Sequence, residues 1–261
     1  MRKFKPYIGI TGFENAEQAT KMCQVLSANC AVDRDRRLMV GVMMNRETLN
    51  GQPSEWTDVW PDRDEIRHIF TDHHRAMNTI HYVDDRFDDL LTRLTHAAGY
   101  GGYELDAIQI DVPWPDVDGM MTFCDIYRHL QIVLQLNTVA LKMAGDDPAT
   151  VVRWLSDYNG AVDCVLLDKS EGQGKPLNPD ELLPFLRAIR THIPDLSLAV
   201  AGGLGPDTLH FVEPFFEEFP DISLDACGQL HQEKDQRKPL DPNRSELYIQ
   251  RATQLCTEAL I

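Results

Sequence analysis

Short apolar runs, several rich in β-branched residues, alternate along this chain with longer stretches in which apolar residues recur at helical spacing. Eight such pairs follow one another with no linker or low-complexity tract between them. The runs predict strands at Tyr7–Thr11, Leu38–Met44, Thr79–Val83, Ala107–Asp111, Gln131–Leu136, Cys164–Asp168, Ser197–Ala201 and Ile222–Asp225. Each is short and mostly apolar, as parallel strands covered on both faces are. Helices are predicted over Asn15–Ser27, Asp62–Thr71, Asp85–Ala98, Met121–His129, Asp147–Tyr158, Pro179–His192, Pro206–Glu218 and Asn243–Leu260, several opening on a capping residue or a proline. Eight strand–helix repeats point to an α/β fold, a single (β/α)8 TIM barrel of the phosphate-binding type. A length of 261 residues suits one such domain over the whole chain, 1–261. The fourth helix has an irregular approach, because Pro113, Pro115 and Gly119 break it. The longest connection, Asn45 to Pro61, carries Gly51, Pro53, Trp56 and Trp60. It either folds over the barrel mouth as a lid or packs its tryptophans on the outer helices.

Charge narrows the range of partners. With 41 acidic against 25 basic side chains the formal net charge is -16, and no compact Lys/Arg cluster offsets it. Such a field repels nucleic-acid phosphates and anionic membranes, so neither is expected as a partner. Any phosphate site has to be built locally, from backbone amides and one or two cations. There is no run of 18 apolar residues, and Met1-Arg2-Lys3-Phe4-Lys5 leads straight into a strand-like segment without a signal-peptide core, so a soluble, cytoplasmic protein is expected. The six cysteines are scattered without C-x-x-C spacing, which favours reduced thiols.

The run Leu198 to Asp207 reads as a buried strand ending in Gly202-Gly203, then a helix start at Pro206. Adjacent glycines let amide N–H groups approach an anion with no Cβ in the way, and Pro206 suits a first helical position. The alternative is a plain tight βα turn. In a barrel of this kind the active site gathers at the C-terminal strand ends, with phosphate beyond the last two strands. That selects Gly202, Gly203 and Leu204, then Ala226, Cys227 and Gly228, and Asp168 with the loop Lys169 to Lys175. Asp168 closes an apolar strand, where partial desolvation raises a carboxyl toward useful proton donation; otherwise it caps loop amides. Lys169 points toward the helices by alternation, which opposes Schiff-base chemistry there. His68, His73, His74 and His81 lack metal-ligand spacing and read mainly as a solvated face, with His81 decided by strand register. No metal site is expected from these histidines.

At these residues the chain resembles phosphoribosylanthranilate isomerase, a barrel enzyme of tryptophan biosynthesis. Val165-Leu166-Leu167-Asp168 followed by Gly172-Gln173-Gly174-Lys175 is similar to the family's strand-six Asp and Gly-x-Gly-Lys loop. Ala201-Gly202-Gly203-Leu204 with Pro206 resembles its strand-seven phosphate loop, and Asp225-Ala226-Cys227-Gly228 its strand-eight segment. Weaker echoes are Gly9-Ile10-Thr11, Asn45-Arg46 and Gln109. The resemblance implies an Amadori rearrangement, an aldose–ketose isomerisation of a small phosphosugar that needs one acid and one base and no metal or organic cofactor. It implies Asp168 as general acid, Arg46 at a substrate carboxylate, and a phosphate held by amides beside Gly203 and Gly228; position at the mouth adds Gly172, Gly174, Gly202, Ala226 and Cys227 as candidates, with Lys175 either reaching a ligand oxygen or a plain surface lysine. The family's base is a cysteine in Lys-x-Cys-Gly-x-Thr, where this chain has Ile8, which cannot take a proton. Asp111 is the candidate substitute base. Two further readings stay open: a non-catalytic phosphosugar-binding homologue, and another phosphate-binding barrel enzyme such as an epimerase or synthase.

Overall fold

The computed structural model describes residues 4–30, 36–56, 59–86, 88–170 and 176–259. Eight parallel strands close into a barrel: β1 (Tyr7–Thr11), β2 (Arg37–Asn45), β3 (Ala76–Val83), β4 (Ala107–Asp111), β5 (Gln131–Asn137), β6 (Cys164–Asp168), β7 (Ser197–Ala201) and β8 (Ser223–Ala226). Neighbours in sequence are neighbours in the sheet, and β8 pairs with β1 through Ile8, Gly9 and Ile10. This is the predicted TIM barrel. Around it run α1 (Ala16–Asn29), α2 (Arg46–Leu49), α3 (Leu90–Gly101), α4 (Val117–Ile126), α5 (Thr138–Met143), α6 (Pro148–Ser156), α7 (Pro179–His192), α8 (Glu213–Glu218) and α9 (Pro242–Glu258). None of the described helices is long and apolar enough to cross a membrane.

Capping fixes several helix starts. The side chains of Asn15, Asp116, Asp147, Asn178 and Asp241 each accept a backbone N–H of the first turn, and Pro148, Pro179 and Pro242 follow three of them. The Asp116 cap starts α4 at Val117, earlier than the proline and glycine pattern predicts. Two expectations fail, and one element was not expected. The helix over Asp62–Thr71 is reduced to one 3-10 turn, Ile66–His68, because the Asn78 side chain bonds both the N–H and the carbonyl of Thr71 and draws the segment out. No helix begins at Pro206: Thr208 Oγ1 accepts from Gly205 N at 2.9 Å and donates to the Gly203 carbonyl at 2.8 Å, closing a turn, and a 3-10 turn at Leu209–Val212 precedes α8. The short α5, capped by Asn137, has no counterpart in the sequence reading.

Alternation divides the strand side chains between two cores. Outward residues such as Ile8, Ile10, Val40, Ile80, Val165 and Leu224 pack under the helices. The inner floor is built by Phe4, Tyr7, Met39, Met77, Ala107, Val133, Cys164, Leu166 and Ala199. Above that floor the interior turns polar, with Thr79, Gln109, Gln135 and Asp225 all buried. The seam between first and last strands is held from the N-terminal side by the fully buried Arg36. Its guanidinium donates to the carbonyls of Ile222 (2.8 Å), Pro220 (3.3 Å) and Tyr7 (3.5 Å). Outside the barrel, Asp84 meets Arg93 Nε at 2.8 Å and accepts from Tyr82 Oη and Arg86 N. The six cysteines, all among the described residues, are not joined in disulfides.

Candidate functional site

A cavity of about 490 Å³ opens at the C-terminal strand ends. Strand register brings Asp168, Ala201 and Asp225 to one level on β6, β7 and β8, and alternation turns all three inward. Asp111, Gln135 and His81 line the same cavity from β4, β5 and β3. Carboxyls on three strands therefore face one space.

Each carboxyl has its own setting. Asp168 Oδ1 accepts Ser170 N at 2.8 Å and Oδ2 accepts Gln135 Nε2 at 3.4 Å, so it both caps its loop and faces the cavity. Asp111 Oδ1 accepts Asn137 Nδ2 at 2.7 Å; burial, opposed by that bond, pushes its carboxyl up to about 6. Asp225 lies deeper. Burial, opposed by the hydrogen bond from Gln109, and then the nearby Asp168 charge lift it to about 7. Its Oδ1 is buried and unpartnered, and it stands 2.4 Å from where a Cβ on Gly9 would be, so the missing side chain at Gly9 makes room for it. Gln109 Nε2 also bonds Gln135 Oε1 at 2.8 Å, linking Asp225 to Asp168 through two amides. His81 points inward, as one strand register requires, and burial pushes it down to about 4, leaving it neutral.

Opposite these groups lie the glycines. Gly202 and Gly203 have φ of +126° and +57°, conformations that favour glycine, and both line the cavity with Ala226, Cys227 and Gly228. Among the described residues, the amides of Gly203, Leu204 and Gly228 donate to no protein acceptor. A Cβ on Gly228 would meet nothing within 4 Å. Donors on this side of the mouth are thus loop amides after β7 and β8, without a helix start at Pro206.

Other expected residues separate. Arg46 opens α2, its Nη1 is 4.0 Å from Asp88 Oδ1, and it does not line the mouth, because Asn45 caps α2 and turns the chain away. Gly172, Gly174 and Lys175 lie outside the described residues. Lys169 points outward to Asp146 at 3.3 Å and over the Phe185 ring, as alternation predicts. Ile8 belongs to the outer core, so β1 presents Gly9 and Thr11 to the interior instead. Trp56 and Trp60, stacked at 5.1 Å, do line the mouth, so these two residues of the long second connection border it. Arg237 sits over Trp56 and 4.0 Å from Glu55, joining this connection to the segment after β8.

Sequence reasoning missed Asp225 and His231. Asp225 shows an inward signal, by alternation from Ser223, but its need for Gly9 is a long-range fact. His231 Nδ1 is 2.5 Å from the Lys238 carbonyl oxygen and its Nε2 is 3.8 Å from Cys227 Sγ. Its only local signal is a histidine four residues after a cysteine at a strand end. Among the described residues no group of three or more His, Cys, Asp or Glu side chains is arranged to hold a metal.

No family model matches the chain. Over 68 residues it is 35% identical to N-(5'-phosphoribosyl)anthranilate isomerase of Methanothermobacter thermautotrophicus, a match that covers 24% of this chain and 28% of that protein. The match therefore spans less than a third of the relative's length. The solved N-(5'-phosphoribosyl)anthranilate isomerase of Pyrococcus furiosus superposes with a TM-score of 0.58 at 15% identity, covering 95% of this chain and 99% of that one. The tryptophan synthase alpha chain of Legionella pneumophila gives 0.56 at 14% identity, covering 97% and 91%. The YdjI aldolase of Escherichia coli K12 gives 0.52 at 11%, covering 97% and 91%. At these identities the likeness is one of fold.

Proposed function

We propose that this chain is an isomerase of a small phosphorylated sugar, acting by an Amadori-type aldose–ketose rearrangement with Asp168 as general acid. The observation that carries this reading is the meeting, in one cavity, of the Asp168 and Asp111 carboxyls with the amide cradle of Gly202, Gly203 and Gly228. The 68-residue match to an enzyme named for this chemistry supports the reaction class. The anionic end sits on the cradle, where N–H dipoles stabilise it against the chain's negative field. Asp168 delivers a proton to the ring oxygen, the ring opens, and the anomeric amine becomes a protonated Schiff base. A base then takes the C2 proton. Two groups at the mouth suit that task in protonation state or geometry: Asp111, ionised above about pH 6, and His231.

The test is turnover of N-(5'-phosphoribosyl)anthranilate and of ribosylamine 5-phosphates carrying other amines, followed by loss of aldosylamine and gain of ketose. Wild type converts at least one of them, and Asp168→Asn lowers kcat by about 100-fold or more. Saturable binding with no conversion leaves the phosphosugar-binding homologue as the reading. Conversion undiminished in Asp168→Asn refutes the assignment of the acid.

A further inference from the structure

His231 is 5% exposed, at the wall of the mouth. The Lys238 carbonyl oxygen beside Nδ1 only accepts, so in the neutral ring the hydrogen is on Nδ1 and the lone pair on Nε2. The Cε1–Nε2 edge rests on Gly12 beyond β1. A Cβ there would stand 2.7 and 2.8 Å from those two atoms, and Gly12 has φ +116°, so this close approach belongs to glycine. Cys227 Sγ faces Nε2 at 3.8 Å. Burial, then the Asp225 and Asp168 charges, push that thiol up to about 12, so it is a neutral, weak partner that a ligand displaces without stranding a charge.

The cradle after β7 and β8 is thereby flanked on both sides. Asp168 stands at the end of β6, and His231 lies over Gly12 at the end of β1. Asp111 is on the Asp168 side, with Asn137 of the intervening strand bonded to its carboxylate. An acid for the ring oxygen and a base for C2 have to reach different parts of one sugar, which two groups on opposite flanks do more readily than two on the same flank.

We propose that His231 is the base that takes the C2 proton, an assignment that rests on the isomerase reading above. The C2–H bond breaks and its proton passes to Nε2. Its electron pair becomes the C1=C2 double bond while the C1=N π pair collects on nitrogen, turning the protonated Schiff base into a neutral enaminol. The imidazolium keeps its Nδ1–H on the Lys238 carbonyl. Return of the proton from Nε2 to C1, with the C2 hydroxyl proton passing to the Asp168 carboxylate left by ring opening, gives the ketose and restores both groups.

The test uses the full chain and whichever aminoaldose phosphate wild type converts. In His231→Asn the amide takes the place of Nδ1 and keeps a donor for the Lys238 carbonyl while removing Nε2. We expect kcat to fall by about 100-fold or more with KM within about threefold, an enlarged isotope effect with substrate deuterated at C2, and an unchanged melting temperature. Asp111→Asn is expected to lose less than about tenfold. The reverse pattern, with Asp111→Asn crippled and His231→Asn active, overturns the assignment while the isomerase reading stands. No conversion by wild type refutes the isomerase reading itself, and the role of His231 falls with it. The nitrogen-15 shifts of the wild-type imidazole give a readout separate from turnover: in the neutral ring, a proton on Nδ1 and a bare Nε2 support the assignment, and a proton resident on Nε2 overturns it.

Discussion

Gly9→Ala tests the interior geometry most directly. The new methyl would stand 2.4 Å from Asp225 Oδ1 and 3.1 Å from both Asp225 Cγ and Tyr7 Cε2. Ordinary contacts between heavy atoms lie near 3.5–4.0 Å, so the carboxyl has to give way by about 1 Å inside a packed barrel. Overpacking of this kind costs about 1–3 kcal/mol. For a chain of this size each kcal/mol lowers Tm by about 2–4 °C, which gives a fall of roughly 2–12 °C. The same substitution in an Asp225→Ala background meets only Tyr7, so most of the penalty should vanish. A double-mutant cycle from urea unfolding should return a favourable coupling of about 0.5–3 kcal/mol. Equal effects of Gly9→Ala in the two backgrounds would show that the carboxyl does not occupy the space above Gly9.

Three further outcomes follow from the same structure. Asp225 has a folded-state pKa of about 7, above its ordinary unfolded value, so between about pH 4 and 7 the folded chain holds a proton that the unfolded chain releases. Stability therefore falls as pH rises through that window, by roughly 4 kcal/mol from this group. Asp111 acts in the same direction, so Asp225→Asn should flatten the pH dependence of the urea midpoint only in part, and identical slopes would refute the burial of this carboxyl. Gly228→Ala should leave Tm unchanged, since its Cβ meets nothing, yet weaken inorganic phosphate about tenfold in calorimetry by intruding on the cradle. An unaltered Kd would put the anion elsewhere. Asp84→Ala strands Arg93 beneath α3 and should cost about 3–5 kcal/mol in chemical denaturation, with Asp84→Leu/Arg93→Met recovering most of it.

What the chain disclosed on first reading was local. β1, β4, β6 and β7 and the helix α7 fall on the expected residues, because apolar runs, proline and Asn178 act within a few positions of themselves. The segment 62–71 misled because its fate is decided by Asn78 on the next strand, whose amide competes for the backbone of Thr71. Pro206 misled because the Thr208 hydroxyl offers Gly205 and Gly203 a better turn than a helix start would. Asp168, Asp111 and the two glycines after β7 were correctly placed at the mouth because they end strands. Arg46 was not, since a short capped helix redirects it. His231 had almost no signature: its tautomer depends on a carbonyl seven residues on, and its seat depends on a glycine at the opposite end of the chain.

Arg36 closes the ring by gripping carbonyls at the end of the barrel remote from the mouth. The closure of the ring is thereby anchored at the pole opposite the cavity. A laboratory lineage selected to bind new ligands in the cavity should accumulate its changes in the connections after β2, β7 and β8 while leaving this guanidinium fixed. The same division would make the molecule a tolerant chassis for grafted loops.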